Sequence, residues 1–119
     1  MFQPLRKNKG ISIKLPKTKK RTLKEECWNL DYSFILWLDK HLHQYLKDAS
    51  RVVDLEYHKI EYEGSSYTLL ELITKMLQIT NKLTDEDFFW GYKDGYDSVE
   101  KLTSELLDIF KVTFHYLWW

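Results

Sequence analysis

From about residue 30 onward, apolar side chains recur every three to four positions, the period of a helix with one buried face. Ile35, Leu38, Leu42, Tyr45, Leu46 and Ala49 fall on one stripe, and Asn29 or Asp31 stands where a helix start takes a side-chain acceptor. The spacing predicts a helix over 31–48. A second stripe of Leu69, Leu72, Ile73, Met76 and Leu77 follows Thr68-Leu69-Leu70-Glu71, a capping box, and predicts a helix running to about Lys82. A third stripe, Val99, Leu102, Leu106, Ile109, Phe110, Thr113, Phe114 and Leu117, follows Asp97-Ser98-Val99-Glu100, which has the same capping-box form. Between them Thr84-Asp85-Glu86-Asp87 marks the start of a short helix, with carboxylates at its positive end, which Gly91 and Asp94-Gly95 interrupt.

The other segments break this period. Residues 59–68 place β-favouring side chains on both sides of Gly64 and read as a small hairpin. Two strands alone are marginal in water, so the hairpin needs a helix or a further strand to lie against. Over 50–67 as a whole, Val52 and Val53 extend the first helical stripe, whereas Leu55, Tyr57, Ile60 and Tyr62 belong to no single period. Residues 1–22 hold Pro4, Gly10 and Pro16 and no helical period, which predicts an extended arm. Ile11, Ile13 and Leu15 alternate with polar residues, so this part is the candidate third strand or strap. The expected fold is therefore mainly α with minor β. Three main helices, one short helix and a hairpin around 59–68 form a single domain over 25–119, preceded by an extended basic arm over 1–24.

With 119 residues, 44% apolar and 30% charged, the chain is the size of one globular domain. Eighteen basic and eighteen acidic residues cancel to zero, but they are segregated. Residues 1–24 hold nine basic side chains (Arg6, Lys7, Lys9, Lys14, Lys17, Lys19, Lys20, Arg21 and Lys24) and no acidic ones, leaving residues 25–119 at −9. A cationic segment of this density has the charge for phosphate contacts or for self-docking on the acidic body. The body contains no helix-turn-helix with a basic second helix to read a groove. An acidic body also fits a basic surface on another protein, such as a groove built for nucleic acid.

The sequence offers little catalytic material. Its one cysteine, Cys27, rules out an internal disulfide, fits a reducing compartment, and is expected to be a partly buried structural thiol. His41 and His43 stand two apart and point to different sides of a helix, and Asp54 and His58, though spaced to share a helical face, lie in an irregular segment, so no metal site is expected. The carboxylates at 85–87 are accounted for by helix capping, and no phosphate-binding glycine loop, two-histidine zinc helix or serine elbow is present. The expectation is a non-enzyme with no cofactor. No apolar run is long enough for a bilayer, and the basic N-terminus lacks the apolar stretch of a secretory signal.

Aromatic residues reach 16%, including five Trp, eight Tyr and six Phe. Trp28, Phe34, Trp37, Phe110 and Phe114 lie on or near apolar stripes and are expected in the core. The runs 88–92 and 116–119 place bulky rings at consecutive helical positions, which cannot all face one core, so some are expected to be covered by other parts of the chain or to anchor a partner. The candidate partner-binding residues are Phe89, Trp90, Tyr92, Trp118 and Trp119 among the rings. Asp85 and Glu86 on the acidic body, and Lys17, Lys19, Lys20 and Arg21 on the arm, complete the set.

Trp28-Asn29-Leu30-Asp31, Phe34, Trp37-Leu38, Val53-Asp54-Leu55-Glu56-Tyr57-His58, Tyr62-Glu63-Gly64 leading into Tyr67-Thr68, and the closing Trp118-Trp119 resemble a group of small uncharacterised proteins encoded by tailed bacteriophages. The resemblance runs from Trp28 to the C-terminus, leaves out the arm and carries no catalytic motif. It implies a viral protein working in the host bacterial cytoplasm. By analogy with other phage proteins of this size, it implies a binder that inhibits or redirects a host macromolecule, as anti-CRISPR and other anti-defence inhibitors do. The alternatives are a nucleic-acid-binding accessory protein acting through the arm and a virion or assembly component.

Overall fold

A computed structural model of the protein describes residues 22–119. Of the arm expected over residues 1–24, residues 1–21, with Ile11, Ile13, Leu15 and the cations Lys17, Lys19, Lys20 and Arg21, lie outside the described residues. The fold is mainly α with a small β component. Its elements are α1 (Leu23–Trp28), α2 (Leu30–Ala49), β1 (Lys59–Tyr62), β2 (Ser65–Thr68), α3 (Leu69–Leu83), α4 (Glu86–Phe89), α5 (Tyr96–Thr113) and a closing 3₁₀ turn (Phe114–Tyr116).

The chain divides into two compact units, residues 1–33 and 34–119. In the described part of the first, α1 is an element the apolar periodicity does not contain, since it buries no residue. It forms through its ends. Thr22 Oγ1 accepts from the Glu25 backbone N–H at 3.2 Å, and the Thr22 N–H donates to the Glu25 carboxylate at 2.8 Å. Leu23 and Lys24, expected in the extended arm, therefore lie in a helix that Thr22 caps. Cys27, on this helix, is exposed rather than partly buried, and so is Trp28, which the stripe pattern placed in the core. Asn29 ends α1, and its carbonyl accepts from the Ser33 N–H at 2.9 Å to begin α2.

The second unit holds the core. Ile35, Leu38, Leu42 and Ala49 are buried from α2; Leu69, Leu72, Ile73, Met76, Ile79 and Leu83 from α3; Val99, Leu106 and Ile109 from α5. Each set keeps the three-to-four spacing of one helical face. Helix α3 packs along α5, β1 rests on α5, and α4 touches both helices. A polar tie joins α2 to α3, where the fully buried Thr80 donates its hydroxyl to the Asp39 carboxylate at 2.7 Å.

The hairpin forms where expected, antiparallel, with Tyr62 paired to Ser65 and Lys59 to Thr68. Its two-residue loop has positive φ at both positions, 51° at Glu63 and 78° at Gly64, the shape that matches strand twist. Thr68 then serves twice, as the last residue of β2 and as the N-cap of α3. Its hydroxyl accepts from the Glu71 N–H at 3.1 Å while its own N–H donates to the Glu71 carboxylate at 2.9 Å. Residues 50–58 make a run of turns, tied to the start of α3 by the Leu70 N–H donating to the Leu55 carbonyl at 3.0 Å.

The start of α5 differs from expectation. The helix begins at Tyr96 behind Gly95, whose φ is 85° and which makes no side-chain cap, so Asp97 sits inside the first turn and does not cap it. The chain leaves α4 through two positive-φ glycines, Gly91 and Gly95, and this backbone path sets the first helical residue two positions before the capping-box motif would.

An alanine methyl at Gly64 would meet no atom within 4 Å, so Gly64→Ala tests backbone conformation alone. It should lower stability by about 1 kcal/mol. Glu63→Asn, which installs the preferred Asn-Gly pair, should raise stability by a few tenths to about 1 kcal/mol. Shifts of the urea midpoint in opposite directions, with unchanged slope, are the expected readout.

Candidate interaction surface

Helix α2 carries a second ring-bearing face beside its buried stripe. Phe34 and Trp37 stack with centroids 6.3 Å apart, and Trp37 stacks on His41 at 4.2 Å. The strip continues onto α5, where Phe34 meets Phe110 edge-on at 6.2 Å and Phe110 meets Phe114 edge-on at 5.5 Å. Phe34 and Phe110 are half-buried, whereas Trp37 is 50% exposed and Phe114 55%. Leu107, one turn before Phe110 on the same side of α5, is also exposed. Trp37 and Phe114, expected in the core, are thus surface rings. The reason is geometric: α2 and α5 already commit one face each to the core, and these positions fall beside it.

His41 is held in the strip by its Nδ1 donating to the Trp37 carbonyl at 2.8 Å, and His43 makes the equivalent bond to the Asp39 carbonyl at 2.9 Å. Because a carbonyl only accepts, both Nδ1 atoms carry the proton.

A second cluster lies at the C-terminal end of the chain. After the 3₁₀ turn the last residues fold back on α2, where the Tyr45 hydroxyl donates to the Trp118 carbonyl at 2.9 Å and the Tyr45 ring meets Trp119 at 5.5 Å. Burial first, against the opposing effect of the Trp118 bond, raises the Tyr45 phenol above its ordinary range. His58 sits between Tyr57 at 5.1 Å and Tyr116 at 4.9 Å. These groups border a cleft of about 280 Å³, floored by Leu55 and Leu69 and walled by Tyr45, Tyr57, Tyr116 and Trp118, with Asp54 and His58 as its charged and titratable members.

The third cluster surrounds α4. Asp85 caps this helix, accepting from the Asp87 N–H at 3.0 Å, and pairs with the Lys93 ammonium at 2.6 Å. Burial pushes the Asp85 carboxyl up, but the Lys93 bond and the backbone N–H donors together outweigh it and hold the group below its ordinary range. Of the rings singled out here, Phe89 is only 5% exposed and belongs to the core, Trp90 is at the margin of exposure, and Tyr92 is fully at the surface. Glu86 is half-buried in the first turn of α4. The cluster adjoins the start of α5, whereas Trp118 and Trp119 follow its end. Eighteen residues of helix, roughly 27 Å, separate the two, so the candidate set divides into distinct surfaces.

Sequence reasoning missed Tyr45, Tyr57, His58 and Tyr116 as companions of Trp118. The signal available was the string 53–58, whose rings fit no helical stripe. Among the described residues no group of three or more His, Cys, Asp or Glu side chains is placed to hold a metal ion, and no helix is long and apolar enough to cross a membrane. Tyr62 is the main buried oddity. Among the described residues its hydroxyl has no hydrogen-bond partner, and burial, then the carboxylates Glu63, Glu105 and Asp108, raise its pKa. No family model matches the chain, and no curated protein or solved structure is similar to it.

Tyr45→Phe removes the hydroxyl that holds Trp118. It should cost about 0.5–1.5 kcal/mol and release residues 117–119, read as faster amide hydrogen exchange there and not in α3. Asp85→Asn keeps the cap acceptor and loses the charge pair. Because the native Asp85 pKa is lowered, its contribution is present at neutral pH and fades as pH falls from roughly 4 through the native value. The variant should be the less stable protein at pH 7, and the two melting curves should converge in acid.

Proposed function

We propose that this is a non-enzymatic binding protein whose α2–α5 aromatic strip docks on the surface of a partner protein. The observation that carries the reading is that Trp37, Leu107 and Phe114 remain exposed on a continuous strip of stacked rings. A contiguous exposed apolar patch on a folded domain commonly marks an interaction site. Trp and other aromatic side chains are the usual energetic anchors of interfaces, and rings already fixed by stacking lose little freedom on binding. Residues 34–119 hold nine basic and fifteen acidic side chains, a net −6, which favours a partner surface of positive charge.

The resemblance to phage proteins supports a more specific form of the reading, in which the partner is a host macromolecule that the protein inhibits or redirects. A basic nucleic-acid-handling defence enzyme suits the acidic body. The nine cations of residues 1–24 support a second reading, nucleic-acid binding through the arm.

Affinity capture from bacterial lysate, followed by reconstitution with the purified partner, tests both. The expected result is a stoichiometric protein complex weakened at least about 100-fold by Trp37→Ser with Phe114→Ser, and unaffected by Tyr92→Ser on the far surface. Recovery of nucleic acid in place of a protein, lost with rising salt and on deletion of residues 1–24, would overturn the first reading in favour of the second.

A further inference from the structure

We infer that the cleft beside the C-terminal residues is a binding site for a compact organic cation of the quaternary ammonium type. Four electron-rich rings, Tyr45, Tyr57, Tyr116 and Trp118, border it together with the Asp54 carboxylate, and among the described residues no lysine or arginine lines it. The faces of such rings carry negative potential and attract a cation placed within about 6 Å of their centroids. A trimethylammonium group suits this wall better than a bare ammonium. Its methyl groups match the apolar floor of Leu55 and Leu69, and it has no N–H donors to leave unpaired in a cleft with few acceptors. At about 280 Å³ the space takes such a headgroup with a short chain.

The walls are held before any ligand arrives. The Tyr45 hydroxyl is fixed by the Trp118 carbonyl at 2.9 Å, which couples one wall to another. On the opposite side a turn positions the acidic group and the outer ring together. Asp54 Oδ1 accepts from the Glu56 N–H at 3.0 Å, and the Asp54 carbonyl accepts from the Tyr57 N–H at 3.1 Å. His58 braces Tyr57 against Tyr116. Tyr57 is 74% exposed, so its ring is accessible to a ligand entering the cleft from solvent. The site is separate from the α2–α5 strip, so its failure would leave the protein-docking reading standing.

The test is titration of the full chain with choline and with dimethylbutanol, its uncharged tert-butyl isostere, followed by NMR. Choline methyl signals should shift upfield from ring currents, with affinity at least about tenfold better than the isostere. Tyr57→Phe should keep this preference, whereas Tyr57→Leu, equally apolar but without the ring, and Asp54→Asn should each weaken choline several-fold. An amide of acetylated trimethyl-lysine forms a second arm: tighter binding than choline assigns the cation to a polypeptide, weaker binding to a free headgroup. Equal binding of choline and its isostere, no choline binding, or an unchanged affinity in Tyr57→Leu would overturn the proposal.

Discussion

The rotation of α2 about its axis is fixed by Ile35, Leu38, Leu42 and Ala49, and most of what distinguishes this protein depends on that setting. A helix facing a core has room for one apolar stripe a little over a quarter-turn wide. α2 has more apolar residues than such a stripe accepts. Once the aliphatic side chains take the inner positions, Phe34, Trp37 and His41 fall beside them, and Tyr45 lands at the edge. The aliphatic set is better suited to the interior, because it packs without polar ring atoms to satisfy. The displaced rings then stack on each other and on Phe110, which removes part of their surface from water without burying them.

The same setting places Asp39 toward α3. Its carboxylate receives the hydroxyl of Thr80, a residue with no exposed surface, so neither group is left unpaired at the helix contact. Tyr45, one turn beyond His41 along α2, is the complementary polar contact at the far end, where its hydroxyl captures the last residues. One helix thus supplies the core stripe, the cross-helix polar tie and the clasp for the last residues.

Much of this was legible in the residue pattern. The three long helices, the hairpin around Gly64 and the capping box at Thr68 follow from local rules that act within four or five residues, and the structure contains them close to the expected positions. Helix α1 was equally local, since Thr22 and Glu25 form a capping box, but its lack of any buried residue hides it from a reading based on apolar period. The positive φ at Glu63 and the start of α5 at Tyr96 depend on the backbone path through turns, which the side-chain pattern does not encode. The candidate surface was harder still. Trp28, Trp37 and Phe114 lie next to apolar stripes in sequence, and only the packing of helix on helix decides which side of the boundary each ring takes. Phe89 went the other way, because α4 turns it into the core while leaving Tyr92 outside. The cleft unites residues 45, 53–58, 69 and 116–118, a grouping that exists only after the chain has folded back on α2.

All five tryptophans, Trp28, Trp37, Trp90, Trp118 and Trp119, lie at the surface, from 37% to 62% exposed. Most globular proteins hide at least one indole, and its emission reports whether the chain is folded. Here the indoles already meet water in the native state, so intrinsic fluorescence is a weak gauge of folding and a direct gauge of occupancy. Its spectrum moves when something arrives at the surface, and collisional quenchers lose access to whichever indole has been covered.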